Sequence, residues 1–210
     1  MSHCVRIEVL PRFGIVIESG LRERKKERTR QELMRSALRL FAARGFDQVT
    51  VEEIAADCEV SPRTVFRYFS SKEDVLFAQG DRSLTRLIET LQGEPPDVPP
   101  LEALRRAMHT LSEDYLEDKE AVVLRHQIMS ATPALRTRAA ERQQGWEAAV
   151  IDQLRTGGQI SGMSDLDVRL VVAAAMTALR VAVTVWVADS TDLDLDHLID
   201  TTFDRLRRGL

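Results

Sequence analysis

Apolar residues recur along this chain at the three- and four-residue spacing of an α-helix, and strict two-residue alternation does not persist beyond the first twenty residues. This pattern predicts an all-α protein. The first clear helix runs from about Thr29 to Arg44, and Gly45 is suited to the left-handed position that ends a helix. Its apolar face consists of Leu33, Ala37, Leu40 and Phe41.

Two capping patterns follow closely on the first helix. Thr50 and Glu53 have the spacing of a capping box and predict a short second helix that extends to Asp57. Ser61 followed by Pro62 predicts a third helix that ends near Phe69, because a capping hydroxyl and a proline in the first turn both favour a helix start. Only a tight turn of residues 58–60 fits between these two helices.

A fourth helix is predicted from the caps at residues 71–74 to about Leu91, where a segment rich in glycine and proline, residues 93–100, interrupts the chain. Helical patterns then cover most of the remaining sequence. They run over residues 101–118, 119–130, 133–155, 165–188 and 195–208. The expected architecture is about nine helices and no sheet.

The third predicted helix separates its side chains into two faces. At 100° per residue, Arg63, Arg67, Thr64 and Tyr68 lie on one side. The apolar Val65, Phe69, Pro62 and Phe66 lie on the other. Two short helices joined by a tight turn form a helix-turn-helix, and guanidinium groups on its second helix can bind guanine O6 and N7 in the major groove. The alternative is an ordinary surface helix with a solvated arginine pair.

The charge distribution distinguishes the two parts of the chain. Residues 21–82 carry 13 Lys and Arg against 11 Asp and Glu, a net charge of +2, whereas residues 83–210 carry 14 against 20, a net charge of −6. The front of the chain therefore suits a polyanion better than the overall charge of −4 suggests. The densest basic run, residues 22–30, is expected to be an arm that follows DNA, or otherwise a solvated tail. Lys72 at the start of the fourth helix is expected to bind phosphate.

Four segments of the sequence, residues 29–46, 50–55, 60–69 and 71–74, closely resemble the N-terminal domain of TetR-family transcriptional regulators. The resemblance implies a homodimer that binds a palindromic operator and usually represses until a ligand enters its C-terminal domain. It also implies that Thr50 and Lys72 touch phosphates. Many members have tyrosine where this chain has Phe66, and a phenyl ring cannot donate a hydrogen bond to phosphate.

These arguments give three parts and one DNA-binding surface. We expect a poorly ordered extension at residues 1–20, a helix-turn-helix domain at residues 21–71, and a helical sensing and dimerisation domain at residues 72–210. The residues predicted to bind double-stranded DNA are Arg24, Lys25, Arg28, Thr50, Ser61, Pro62, Arg63, Thr64, Arg67, Tyr68 and Lys72.

The C-terminal part contains the larger adaptable side chains expected around a small, lipophilic effector, with Arg125 or His126 as polar anchors. The predicted ligand-binding residues are Met108, Tyr115, Arg125, His126, Met129, Trp146, Met176 and Trp186. Each of them also suits an ordinary core position. A protein-interaction module and an activator remain alternative functions.

The segment 165–188 is apolar around more of its circumference than one small core covers, which predicts a homodimer through this helix and the helix at residues 195–208. Val183 and Val187 are the positions where a glutamate is expected to disrupt it. The run also has the length of a membrane span, but Arg180 in its middle is costly in a bilayer. No membrane association is therefore expected.

No catalytic, cofactor or metal site is indicated by the sequence. The histidines share no ligand spacing, and neither a nucleophile elbow nor a glycine-rich phosphate loop is present. Residues 192–196 resemble the start of a calcium loop, but His197 stands where glycine is required. Cys4 and Cys58 form no disulfide or zinc pattern, so a reducing cytoplasm is the expected setting.

Overall fold

A computed structural model of the chain describes residues 13–188 and 193–209. Within these ranges the protein is built from nine α-helices and a 3-10 turn at Phe46–Gln48, with no strand, which confirms the all-α prediction. The helices are α1 Phe13–Arg44, α2 Val51–Asp57, α3 Pro62–Tyr68, α4 Lys72–Gln92, α5 Pro100–Glu117, α6 Lys119–Ala131, α7 Pro133–Thr156, α8 Asp165–Ala188 and α9 Leu195–Arg208.

The predicted capping residues stand at the starts of α2, α3 and α4. The Thr50 hydroxyl accepts from the Glu53 amide, and the Glu53 carboxylate accepts from the Thr50 amide at 2.9 Å, so the capping box of α2 is complete. Ser61 and Ser71 accept hydrogen bonds from backbone amides in the first turns of α3 and α4. Each cap satisfies an amide that has no partner inside its own helix.

Helix α1 begins at Phe13, so the predicted helix start near Thr29 is wrong. Of the predicted poorly ordered extension, residues 13–20 belong to α1 and residues 1–12 lie outside the described residues. The basic run lacks apolar periodicity, so the sequence pattern does not predict its helix. Its lysines, arginines and glutamates are good helix formers, and Arg28 pairs with Glu32 at 2.9 Å, one turn along α1.

The N-terminal helices share a core that continues into the rest of the molecule. Leu33, Phe41, Ile54 and Val65 are each at most 1% exposed and hold α1, α2 and α3 together. The same cluster includes Ala121, Ile128 and Leu135 from α6 and the start of α7. We call α1–α3 the head and α5–α9 the body. The head therefore packs on the body directly as well as through α4.

The body surrounds a second core formed by α5, α7, α8, α9 and the later half of α4. Met108, Trp186 and Phe203 are among its buried side chains. Helix α8 is long and apolar enough to cross a membrane by length and composition. Its inward residues are buried in the body core.

Helix α8 also has an apolar face that no described residue covers. Leu166, Leu170, Val181 and Val185 are 74%, 64%, 41% and 43% exposed. We call these four residues the α8 stripe. Val183 and Val187, where a glutamate is predicted to disrupt the dimer, are partly buried and pack against the body core. Each of them lies two residues after a residue of the α8 stripe, and two residues along a helix correspond to a rotation of about 200°. Val183 and Val187 therefore face the core while the α8 stripe faces outward.

Candidate nucleic-acid interface and sensing core

The turn between α2 and α3 is tight and has a defined backbone geometry. Glu59 takes a left-handed conformation with φ +54°, and the Val60 amide donates to the Ala55 carbonyl at 2.9 Å. This closes the end of α2 and redirects the chain into Ser61, whose hydroxyl accepts from the Thr64 amide at 3.2 Å. The arrangement is a helix-turn-helix with α3 as its second helix.

Arg63 and Arg67 lie exposed on α3, on the side predicted by the helical wheel. Arg63 has no hydrogen bond or ion pair to any residue within the described ranges. The Arg67 guanidinium lies over the Tyr68 ring, 5.1 Å from its centroid, and donates to the Tyr68 hydroxyl at 3.4 Å. One guanidinium is thus free to bind a ligand, and the other is oriented by an aromatic ring.

Phe66 is 52% exposed, although the wheel grouped it with the apolar, buried side of α3. Val65 and Phe69 face the core at 1% and 4% exposure, and the head covers only this narrower arc. Phe66 lies 100° beyond Val65 and 60° from Arg63 on the wheel. It therefore belongs to the exposed surface of α3. The wheel angle places Phe66 near this surface, but hydrophobicity alone predicts burial for every apolar position.

Thr64 and Tyr68 are only partly exposed. The Thr64 hydroxyl lies 3.0 Å from the Ser61 hydroxyl, and Tyr68 packs against the head core. Ser61 and Pro62 are exposed at the start of α3. Of the residues predicted to face the groove, Arg63 and Arg67 are therefore exposed to solvent, whereas Thr64 and Tyr68 are partly buried beside them.

Thr50 is exposed at the start of α2. Its hydroxyl oxygen accepts from the Glu53 amide, which leaves the hydroxyl hydrogen available to a phosphate oxygen. The Thr50 amide and, beside it, the Arg44 guanidinium stabilise the Glu53 carboxylate and lower its pKa. The capping box is therefore charged and intact at neutral pH.

Lys72, predicted to bind phosphate, lies at the start of α4 with its ammonium bonded to backbone carbonyls. Its ammonium donates to the Phe46 carbonyl at 2.9 Å and the Val49 carbonyl at 3.2 Å, with the Asp47 carbonyl at 3.5 Å. It also lies 4.5 Å from the centroid of the Phe46 ring. An ammonium has three donors, and all three point at the turn after α1. Lys72 thus braces that turn in this structure.

The predicted basic arm is part of helix α1. Arg24, Lys25 and Arg28 are exposed along it, so their charges are held at helical spacing and not on a flexible segment. Arg30 turns away from solvent, because its guanidinium lies 5.5 Å from the Phe69 ring centroid and within 3.5 Å of the Ala78 carbonyl.

The predicted effector-binding residues divide between the two cores. Five belong to or pack against the body core: Met108, Tyr115, Trp146, Met176 and Trp186. Met129 packs against the head core instead, and Arg125 and His126 are partly buried on α6. Four cavities around the described residues are lined by other side chains. Met108, Met176 and Trp186 are therefore core residues in this structure, and Tyr115 and Trp146 border the same core.

Sequence reasoning missed a partner of Arg125. The Arg125 guanidinium donates to Oε1 of Gln79 on α4, across a separation of 46 residues. No local signal pointed to Gln79, because only the packing of α6 against α4 brings these residues together.

A charged cluster joins α5 to α9. His109 Nδ1 lies 2.8 Å from Asp196, and its Nε2 lies 2.8 Å from Asp200. Burial lowers the pKa of His109, but the two carboxylates outweigh it and raise the pKa above its ordinary value of 6.5. Hydrogen bonds from Arg105 lower the pKa of Glu102 to about 2.

The acidic segment before α9 acts as a cap, since Asp194 accepts from the Asp196 amide at 2.9 Å. Within the part of the chain that the structure covers, no group of three His, Cys, Asp or Glu side chains could hold a metal ion.

The chain is similar to known regulators over both parts. Residues 33–78 match the family of bacterial regulatory proteins described as the tetR family, and residues 98–210 match a family described as the MftR C-terminal domain. The transcriptional regulator TcmR of Streptomyces glaucescens is 31% identical over 199 residues, which cover 91% of this chain and 88% of TcmR.

Two solved structures share the fold. Thermus thermophilus FadR, a TetR-family repressor in complex with lauroyl-CoA, is 25% identical with a TM-score of 0.57, covering 86% of this chain and 94% of FadR. Bacillus subtilis FadR in complex with stearoyl-CoA is 23% identical with a TM-score of 0.63, covering 86% and 98%. With the exposed arginines of its helix-turn-helix and these full-length matches, the chain belongs to the TetR family of bacterial transcriptional regulators.

Proposed function

We propose that this regulator represses transcription as a homodimer that binds a palindromic operator and is released by a small, lipophilic effector. The observation that carries the proposal is the pair of exposed guanidinium groups, Arg63 and Arg67, on the second helix of a helix-turn-helix. A guanidinium fork matches the O6 and N7 acceptors of guanine in the major groove. Tyr68 holds one fork in place by stacking.

We expect the contacts to the DNA backbone to come from the surface around α3. The hydroxyls of Thr50 and Ser61 stand at the starts of α2 and α3, where free amides favour phosphate. Arg24, Lys25 and Arg28 on α1 add charge that attracts DNA without selecting its sequence. Lys72 contributes indirectly, because the turn it braces lies immediately before Thr50.

The α8 stripe is the proposed centre of the dimer interface. Isolated exposed apolar side chains are normal, but four large ones in a row along one helix mark an interaction surface. A twofold axis beside α8 would pair each stripe with its copy and bring α9 along with it. We therefore assign α8 to a subunit interface and not to a membrane, and place the protein with its operator in the cytoplasm.

The body together with helix α4 is the proposed effector-binding domain, which begins at about residue 72. Its core contains Met108, Met176 and two tryptophans, which suit an apolar chain once they move apart. The lauroyl-CoA in Thermus thermophilus FadR supports an acyl-bearing effector. Helix α4 contributes to both cores, so a shift in the body displaces the head. Two recognition helices must lie one DNA turn apart, about 34–36 Å, so a small displacement weakens binding.

The test is sedimentation of the full chain with a duplex selected from random DNA. The proposal predicts two chains per duplex, and release of the duplex by an acyl-bearing compound at the concentration that perturbs tryptophan fluorescence. Linkage also requires that saturating duplex weaken that compound by the same factor. One chain per duplex, or tight-binding compounds that all leave operator affinity unchanged, would contradict it.

A further inference from the structure

One partly buried arginine in the body has no acidic partner. Arg125 donates to Gln79 Oε1, and none of the described carboxylates forms an ion pair with it. Three other arginines with partners on α4 or at the start of α6, or lying on α4, have acidic partners: Arg35 with Asp118, Arg86 with Asp114, and Arg142 with Asp81. An amide oxygen is a weaker partner for a guanidinium than a carboxylate, so Arg125 retains uncompensated charge.

The charge of Arg125 persists although its surroundings disfavour it. Burial lowers the pKa of Arg125, and Tyr115 and Asp118 offset this only in part. The Asp118 carboxylate is already bound to Arg35 and caps the Ala121 amide. A guanidinium does not lose its proton under these conditions, so a desolvated cation remains that an oxygen anion would stabilise.

A second hydrogen-bond donor, besides Arg125, lies on α4 on the same face as Gln79. Ser83 follows Gln79 by one helical turn, and its buried hydroxyl has no partner within the described residues. Both side chains line a small cavity of about 80 Å³ between α1, α4 and α5. Asp114 also lines it, with one oxygen bound to Arg86 and the other unpartnered. Arg86 forms ion pairs with both Asp114 and Glu113. Arg125 does not line the cavity itself, and Gln79 connects the two.

The hydrogen-bonded pair of Arg125 and Gln79 lies beside an aromatic contact of α4. A Cβ built on Gly80, the residue after Gln79, would lie 2.6 Å from Cη2 and 2.9 Å from Cζ2 of Trp146. The indole therefore packs directly on the backbone of α4. Trp146 and Tyr115 both border the body core, so the cation stands next to apolar side chains.

We propose that Arg125 binds the anionic oxygen of an amphiphilic effector, a long-chain carboxylate or the phosphate of a long-chain acyl conjugate, in place of the Gln79 amide. The freed Gln79 then allows α4 to shift at Gly80 against Trp146. This inference rests on the proposed effector-sensing function and adds the charge and the anchor of the effector.

The test compares four probes on the full chain: dodecanoate, dodecanoyl-CoA, coenzyme A and uncharged dodecanol. Binding is measured by calorimetry and by tryptophan fluorescence. Wild-type protein should bind dodecanoate or dodecanoyl-CoA more tightly than dodecanol, and Arg125→Met should weaken the anion roughly ten- to hundredfold while leaving dodecanol unchanged. Loss of dodecanoate binding identifies a carboxylate, and loss of coenzyme A binding identifies a phosphate. The matched control is Arg136→Met, an exposed arginine on α7.

A second variant gives a result even if Arg125→Met does not fold. Gln79→Glu supplies the missing acid, so it should fold, bind operator and no longer respond to the anion. Wild-type response in Gln79→Glu, unchanged anion affinity in Arg125→Met, or a wild-type protein that binds none of the anions would overturn the inference. Operator binding by the same samples reports separately on the proposed function.

Discussion

The guanidinium of Arg35 on α1 donates to Oδ2 of Asp118 at 2.6 Å, and Asp118 also caps the first turn of α6. This ion pair joins α1, in the head, to the start of α6, the helix on which Arg125 lies. Together with Ala121 and Ile128 in the head core, it gives the body a contact with the head that does not pass through α4.

We expect Asp118→Asn to reduce communication between effector and operator. Asparagine keeps the cap but loses the ion pair, whose partly exposed geometry is worth about 0–1 kcal/mol. Operator affinity without ligand should stay within about twofold, and the weakening caused by dodecanoyl-CoA should fall by up to about fivefold. Titration of labelled operator at zero and saturating probe measures both. An unchanged coupling factor would show that the ion pair between Arg35 and Asp118 does not transmit the signal.

Phe66 is expected to contact a thymine methyl group in the operator. Its exposed ring adjoins Arg63 on α3, and apolar side chains discriminate thymine through this methyl. Replacing the contacted thymine by uracil should weaken wild-type binding by about 1 kcal/mol, close to the cost of one exposed methylene. Phe66→Ala should bind both duplexes equally. A uracil effect that persists in Phe66→Ala would assign the methyl contact to another residue.

Glutamate in the α8 stripe should give a folded monomer. Val181 and Val185 are exposed in the subunit, so Val181→Glu and Val185→Glu leave the core intact but place a charge inside the proposed interface, where burial is unfavourable. Sedimentation velocity measures the result. Leu116→Glu, at a 51% exposed leucine on α5, is the matched control and should remain dimeric. Dimers in both valine variants would place the interface elsewhere.

The contact between α5 and α9 should depend on pH through His109. Its pKa is raised above 6.5, so the stability that Asp196 and Asp200 confer is fully present below pH 6.5 and is lost as pH rises through the folded-state pKa. Asp200 has a lowered pKa, because hydrogen bonds from His109 and Arg105 outweigh the effect of burial, so the stability that comes from its bond to Arg105 is lost only as the pH falls through that pKa.

Denaturant unfolding of His109→Gln against wild type measures this dependence. The difference in free energy of unfolding should be largest near pH 6 and shrink at higher pH. His197→Gln, at an exposed histidine on α9, should show no such trend. An equal difference at both ends of the range would mean that His109 is neutral in the folded protein.

Local chemistry in the sequence was sufficient for most helix boundaries. The Thr50, Ser61 and Ser71 caps specify starts that the structure reproduces, because a cap acts within one turn. The start of α1 was wrong because Arg and Lys residues can form a helix without an apolar face.

The partners and exposure of the candidate site residues depend on tertiary packing more than the helix boundaries do. The exposure of Phe66 depends on how wide an arc of α3 the head covers, and Lys72 finds its carbonyl partners more than twenty residues away. The pairs Arg125 with Gln79 and Arg35 with Asp118 join residues 46 and 83 positions apart. Periodicity reports only which face of a helix is apolar, and so it could not identify these partners.

Operator recognition by α3 is tested most directly by selection of bound duplexes from random DNA by wild type, Arg63→Ala and Arg67→Ala, with Arg155→Ala on α7 as control. We expect a palindromic site with half-sites about one helical turn apart. Each recognition variant should lose about 1–3 kcal/mol on that site and relax preference at its own base pair, while Arg155→Ala selects the wild-type site. A site that lacks twofold symmetry, or one that both recognition variants select unchanged, would contradict the assignment of α3 as the helix that recognises the operator.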